Sequence, residues 1–77
     1  MSVKDYYATL RIPQGADATS IKKAFRTLAM EYHPDKRGGN PENDHYFREI
    51  KEAYGVLADP QLREEYLYQR WLEKSMG

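Results

Sequence analysis

Cysteine is absent from this 77-residue chain, which excludes disulfides and any cysteine-ligated zinc as staples of the fold. Long apolar runs are absent as well, so the sequence offers neither the core of a signal peptide nor a bilayer-spanning helix. Net charge is missing too: twelve basic and twelve acidic residues cancel, which argues against affinity drawn from general attraction to phosphate. What remains is the expectation of one small, soluble, cytoplasmic domain. At this length a single core only just outweighs chain entropy, so stability must come from packed side chains.

The cancelling charge conceals an asymmetry. Residues 18–37 carry five basic residues (Lys22, Lys23, Arg26, Lys36, Arg37) against Glu31 and Asp35, whereas residues 38–77 carry eight acidic residues against five basic ones. The middle of the chain is positive and the C-terminal half negative. No internal repeat or low-complexity tract interrupts it.

Four helices can be read from caps, prolines and periodicity. Asp5 is placed to cap a short helix over residues 6–10, with Tyr7 and Leu10 on one side. Pro13 and Gly15 break it, and Ile12 is the apolar anchor of the loop that follows. Asp17 caps the second helix, in which Ile21, Ala24, Phe25, Leu28, Ala29 and Tyr32 recur at helical spacing as one apolar stripe. Lys22, Lys23, Arg26 and Met30 fall together beside that stripe, a pattern that by itself describes an ordinary solvated helix face. Asn40-Pro41 opens a third helix, with Tyr46, Phe47, Ile50, Ala53, Tyr54 and Leu57 on one face; Gly55 and Val56 fit this pattern poorly. Asp59-Pro60 starts a fourth, expected to run to about Lys74. Its Leu62 and Tyr66 suit the base of a hairpin made by helices two and three. Leu67, Tyr68, Trp71 and Leu72 point elsewhere, either covering the domain's own surface or forming a candidate second partner surface.

Between helices two and three lies Tyr32-His33-Pro34-Asp35-Lys36. Proline removes a backbone donor and disfavours helical geometry in the residue before it, so the second helix should stop near Tyr32. The corner then carries an imidazole, a rigid ring and a carboxylate side by side. A bland explanation is available: Pro34 stops the helix, His33 sits at its negative end, and Asp35 bonds the turn or pairs with Lys36. A metal site from His33, Asp35 and His45 lacks recognised ligand spacing. Serine catalysis lacks a nucleophile motif at Ser2, Ser20 or Ser75, and so small a helical hairpin encloses little cavity. Direct DNA binding through Lys22, Lys23 and Arg26 has neither net charge nor a stacking platform behind it.

Several ordered segments together carry a resemblance. They are Asp5-Tyr6-Tyr7 with Leu10; Ile21-Lys22-Lys23-Ala24-Phe25-Arg26 with Leu28-Ala29; Tyr32-His33-Pro34-Asp35-Lys36; Phe47-Arg48-Glu49-Ile50-Lys51-Glu52-Ala53-Tyr54 with Val56-Leu57; and Asp59-Pro60 with Arg63 and Tyr66. In order and separation the chain resembles the J-domain of DnaJ-type co-chaperones over residues 4–66, and its opening looks most like the bacterial J-proteins of the curved-DNA-binding kind. Residues 67–77 would extend the fourth helix and form a tail.

The resemblance implies an all-α, four-helix module with an antiparallel hairpin of helices two and three and the His-Pro-Asp loop at its tip. It implies a non-enzymatic co-chaperone without a cofactor, which binds a DnaK-type heat-shock chaperone and stimulates its ATP hydrolysis in protein folding and the stress response. On that reading Asp35 ion-pairs with the chaperone's ATPase domain, Pro34 fixes the loop and His33 supports it. Lys22, Lys23, Arg26 and Lys36 would belong to the partner-binding face.

Departures from the family pattern are specific. Arg11 stands where glycine is usual, so the exit from helix one is expected to differ. Thr27 and Glu31 stand where basic residues are common, Phe25 replaces a frequent tyrosine, and Leu67 replaces the aspartate that commonly follows Tyr66. No Gly/Phe-rich region or substrate-binding domain follows, which fits either a J-domain cut from a longer protein or a minimal J-protein. The rival function is a plain interaction module in which helix four holds a regulator or C-terminal domains of its own chain.

Overall fold

Each helix begins where a carboxylate or a proline meets the needs of a first turn. The computed structural model describes residues 3–33 and 41–76, and among them the elements are α1 (Tyr6–Thr9), α2 (Ala18–Glu31), α3 (Pro41–Leu57) and α4 (Pro60–Met76), with no strand. Asp5 caps α1 by accepting the Ala8 N–H at 3.1 Å, and Asp17 caps α2 by accepting the Ser20 N–H at 2.8 Å. That bond holds the Asp17 carboxyl below its usual pKa. Asp59 accepts from Gln61 and Leu62 at 2.9 and 3.3 Å at the start of α4. Proline occupies the first position of α3 and α4, where a missing N–H costs nothing.

The exit from α1 is a reversed pair of hydrogen bonds: Ile12 N–H donates to the Tyr7 carbonyl and Arg11 N–H to the Ala8 carbonyl, both at 3.0 Å. This closure needs a left-handed residue just past the cap, a place that favours glycine. Arg11 fills it with φ 58°, the only residue other than glycine at positive φ among those described. Such a backbone costs roughly 1 kcal/mol for a residue with a Cβ. The exit expected to differ at Arg11 therefore does not differ in its backbone: the chain follows the left-handed path that a glycine would take, and Arg11 bears the strain.

α2 and α3 lie antiparallel. Phe25 stacks on Tyr54 at 4.1 Å near one end of the pair and Tyr32 meets Tyr46 at 5.6 Å near the other, so positions rise along α2 as they fall along α3. α1 and α4 both pack on α3. The core between them is Tyr7, Leu10, Ile21, Leu28, Ile50, Ala53, Leu57 and Tyr66, with Ile12, Ala24, Phe25, Tyr54, Val56 and Leu67 packed against it. Burying each large aliphatic member contributes roughly 1.5–3 kcal/mol. The molecule measures 43 × 28 × 18 Å. Its thinnest dimension is under two helix diameters, so every helix keeps an outer face toward solvent.

Three side chains depart from the expected pattern. Tyr46 belongs to the apolar stripe by spacing yet is 55% exposed: it lies in the second turn of α3, where the Tyr32 ring meets it at 5.6 Å. Leu62, expected with Tyr66 at the base of the hairpin, is 43% exposed. α4 is fastened through Tyr66 and Leu67 instead, leaving its first turn at the margin. Asn43, a polar residue missed as a core position, is buried, and its Nδ2 has no hydrogen-bond partner. Its spacing explains the burial: Asn43, Ile50 and Leu57 are seven residues apart on the inward face of α3.

Candidate functional site

The candidate site is assembled at the end of α2 and along its outer face. Ile21 and Leu28 are buried and hold α2 against α3, which at about 100° per residue turns Lys22, Lys23 and Arg26 outward. All three are exposed, and Met30 beside them is 62% exposed. Lys22, Lys23 and Arg26 therefore share the outer side of α2. Thr27 adds no charge to it and turns its hydroxyl back to the Lys23 carbonyl at 3.0 Å. Glu31 is exposed at the last position of α2.

α2 stops at Tyr32, whose N–H donates to the Leu28 carbonyl at 2.9 Å. The next residue, His33, sets its ring edge-on to Phe47 of α3 at 5.5 Å, and the Lys51 ammonium lies 5.6 Å from the centre of that same Phe47 ring. His33 is exposed, at the mouth of the hairpin. Pro34, Asp35 and Lys36, and with them the expected His-Pro-Asp loop at the tip, lie outside the described residues.

A second polar cluster, not foreseen from sequence, ties the N-terminal segment to α3 and α4. The Lys4 ammonium pairs with Glu49 at 3.3 Å and Glu52 at 3.2 Å. The Tyr6 hydroxyl donates to Glu52 at 2.7 Å. Desolvation first and Glu52 second push the Tyr6 pKa up to about 12, while the bonds from Tyr6 and Lys4 hold the Glu52 carboxyl below its usual value. On the α4 side, Asp5 accepts from Arg70 at 3.2 Å and Glu73 from the Val3 N–H at 2.8 Å. These contacts join residues 45 to 70 positions apart, beyond the reach of any periodicity argument.

The four residues read as one further surface on α4 divide. Leu67 packs against the core and Leu72 is partly covered, whereas Tyr68 and Trp71 are 58% and 60% exposed, their rings stacked 6.2 Å apart. Helical rotation explains the split, since Leu67 and Tyr68 are about 100° apart and only the second stands on the outer side.

The model of the DnaJ domain matches residues 5–66 of this chain. The chain belongs to the DnaJ domain family. Among the relatives of this J-domain is the chaperone protein DnaJ of Clostridium tetani, 54% identical over 66 residues, which are 86% of this chain and 18% of that protein. The chaperone protein DnaJ of Clostridium botulinum is 53% identical over 66 residues, again 86% and 18%. That of Azorhizobium caulinodans is 53% identical over 66 residues, 86% of this chain and 17% of that protein. The chain thus spans less than a fifth of the length of these relatives. The four-helix, all-α architecture expected of a J-domain is the one observed. Arg11 stands at a position whose departure from the family's glycine is visible in the sequence, but the partner of its side chain, Tyr32, 21 positions on, is not.

Proposed function

We propose that this J-domain is a co-chaperone: it binds a DnaK-type heat-shock chaperone and stimulates that partner's ATP hydrolysis, coupling it to the folding of client proteins. The observation that carries the proposal is the family match over residues 5–66, together with relatives named as DnaJ chaperones. The exposed row Lys22, Lys23 and Arg26 supports it, because a compact positive face on a rigid helix raises encounter rate with an acidic patch and sets orientation. In this reading Asp35 ion-pairs with the ATPase domain, Pro34 fixes the turn, His33 supports it from its seat on Phe47, and Lys36 extends the positive face. The domain carries no catalysis of its own. It favours one conformation of its partner by binding that conformation better, the only way a ligand shifts an equilibrium. The proposed setting is the cytoplasm, and direct DNA binding by this segment is no part of the proposal.

Single-turnover ATP hydrolysis by a cognate DnaK-type chaperone, with and without this chain, is the test. Acceleration that falls with added salt and with Lys22→Glu or Arg26→Glu is the expected result. An unchanged hydrolysis rate at saturating chain sinks the proposal, and stimulation insensitive to both salt and charge reversal removes the basic face from it.

A second contact surface is favoured by one observation, the exposed Tyr68–Trp71 stack with Glu64 four residues before Tyr68 on the same stripe. Its occupant would be a lysine- or arginine-bearing segment of another protein, since aromatic faces beside a carboxylate attract cations. Trp71 is the only tryptophan in the chain, so its fluorescence reports occupancy directly. An emission spectrum unmoved by a lysine-rich amphipathic peptide would remove this reading.

A further inference from the structure

A left-handed arginine is strained, and glycine would meet the same turn without strain. The side chain of Arg11 offers a reason for its presence. Its Nη2 donates to the Tyr32 hydroxyl at 3.2 Å, crossing from the exit of α1 to the residue that ends α2. Tyr32 in turn lays its ring against Tyr46 of α3, and the next residue is His33, seated on Phe47. Arg11, Tyr32 and Tyr46 line one cleft of about 500 Å³, with Leu28 and Ile50 among its other walls. Three helices therefore meet around one guanidinium–phenol bond, one residue away from His33.

We infer that Arg11 is a positioning residue for the chaperone-binding corner: by holding the Tyr32 hydroxyl it fixes the last turn of α2 and the direction in which the chain enters His33. The inference rests on the co-chaperone reading for its effect on ATPase stimulation, but the bond itself stands on geometry alone. The left-handed backbone aims the side chain, and the side chain aims the phenol.

Two variants separate this role from scaffolding and from charge. Arg11→Gly relieves the backbone strain, so the melting temperature rises by a few degrees, while ATPase stimulation at subsaturating chain falls about two- to fivefold. Tyr32→Phe keeps ring and charge and deletes only the hydroxyl that accepts from Arg11. It lowers stimulation to the same degree, and the double variant is no worse than either single one. A stabilised Arg11→Gly that stimulates like the parent overturns the inference, as does a Tyr32→Phe chain with parental stimulation, because then Arg11 acts through charge alone. If the parent chain itself fails to stimulate, the co-chaperone reading falls. The bond is then judged by the His33 imidazole resonances in NMR spectra: equal displacement in both variants upholds it, and parental positions in both overturn it.

Discussion

The Tyr66 hydroxyl accepts the Tyr6 N–H at 2.9 Å and at the same time donates to the Lys4 carbonyl. One phenol on α4 thus satisfies the chain just where it enters α1. Tyr66 is 6% exposed, its ring lies 4.7 Å from the Tyr6 ring, and Arg70 approaches both its ring and its oxygen. With the Asp5–Arg70 pair it forms the joint through which the first and last helices stabilise each other. Their direct packing is otherwise slight, since both lean on α3.

Tyr66→Phe tests the joint. It preserves the ring and leaves a partly buried N–H and a carbonyl without their shared partner, for an expected loss of about 1–3 kcal/mol. Urea unfolding followed by circular dichroism measures it. An unchanged midpoint would show that water replaces the phenol at no cost.

Alkaline pH should loosen the same corner through Tyr6. Its folded pKa, about 12, stands above the ordinary 10.0. A raised folded pKa means that the contribution to stability is complete below pH 10 and is lost as pH rises toward 12, since the unfolded chain ionises first. Thermal melts across that window should fall in the parent and fall less in Tyr6→Phe. Identical alkaline limbs would mean that the phenol ionises without strain. In acid the sign reverses for Glu52. Its lowered folded pKa gives stability present above about pH 4.5 and lost as pH falls below it.

Asn43 should be an easy gain. Its Nδ2 is buried without a partner on the inward face of α3, and an unsatisfied buried donor typically costs about 1–3 kcal/mol. Asn43→Leu removes the donor and keeps the branched shape and number of side-chain heavy atoms, with methyls in place of the amide, so the melting temperature should rise. A lower melting temperature would show that the amide oxygen holds something worth more than the lost donor.

How far the sequence could be read follows from the range of each interaction. Caps act over three residues, so Asp5, Asp17 and Asp59 announce their helices, and Pro41 and Pro60 mark first positions. Periodicity acts over one or two turns. It names Ile21, Leu28, Ile50, Ala53 and Leu57 as one side of their helices, and those five are buried. Periodicity says nothing about where the facing helix ends, which is why Tyr46 and Leu62 share the right faces and still meet solvent. A polar residue at an inward position is invisible to it, and so Asn43 escaped notice. The ties of Lys4 to Glu49, Asp5 to Arg70 and Arg11 to Tyr32 bridge 21 to 65 residues. They come from the fold and could not have preceded it. The exposure of Lys22, Lys23 and Arg26 was legible because a buried stripe fixes the opposite face, whereas the role proposed for the His-Pro-Asp corner comes only from resemblance.

Site and scaffold should separate cleanly under two substitutions. Asp35→Asn removes a charge and nearly no volume from the corner proposed to touch the chaperone. The helical spectrum and melting temperature should stay at parental values while ATPase stimulation is lost. Phe25→Ala does the reverse: it removes a ring stacked at 4.1 Å on Tyr54 between α2 and α3. The expected cost is about 3 kcal/mol, a large part of the roughly 5 kcal/mol that holds so small a domain together. Stimulation should then fail only as far as the chain unfolds, and cooling should recover what heating loses. Because Phe25 contacts Tyr54 rather than the exposed basic row, Phe25→Ala molecules that remain folded should stimulate like the parent. If Asp35→Asn stimulates fully, the corner is only a turn, and the basic face of α2 must carry the partner alone.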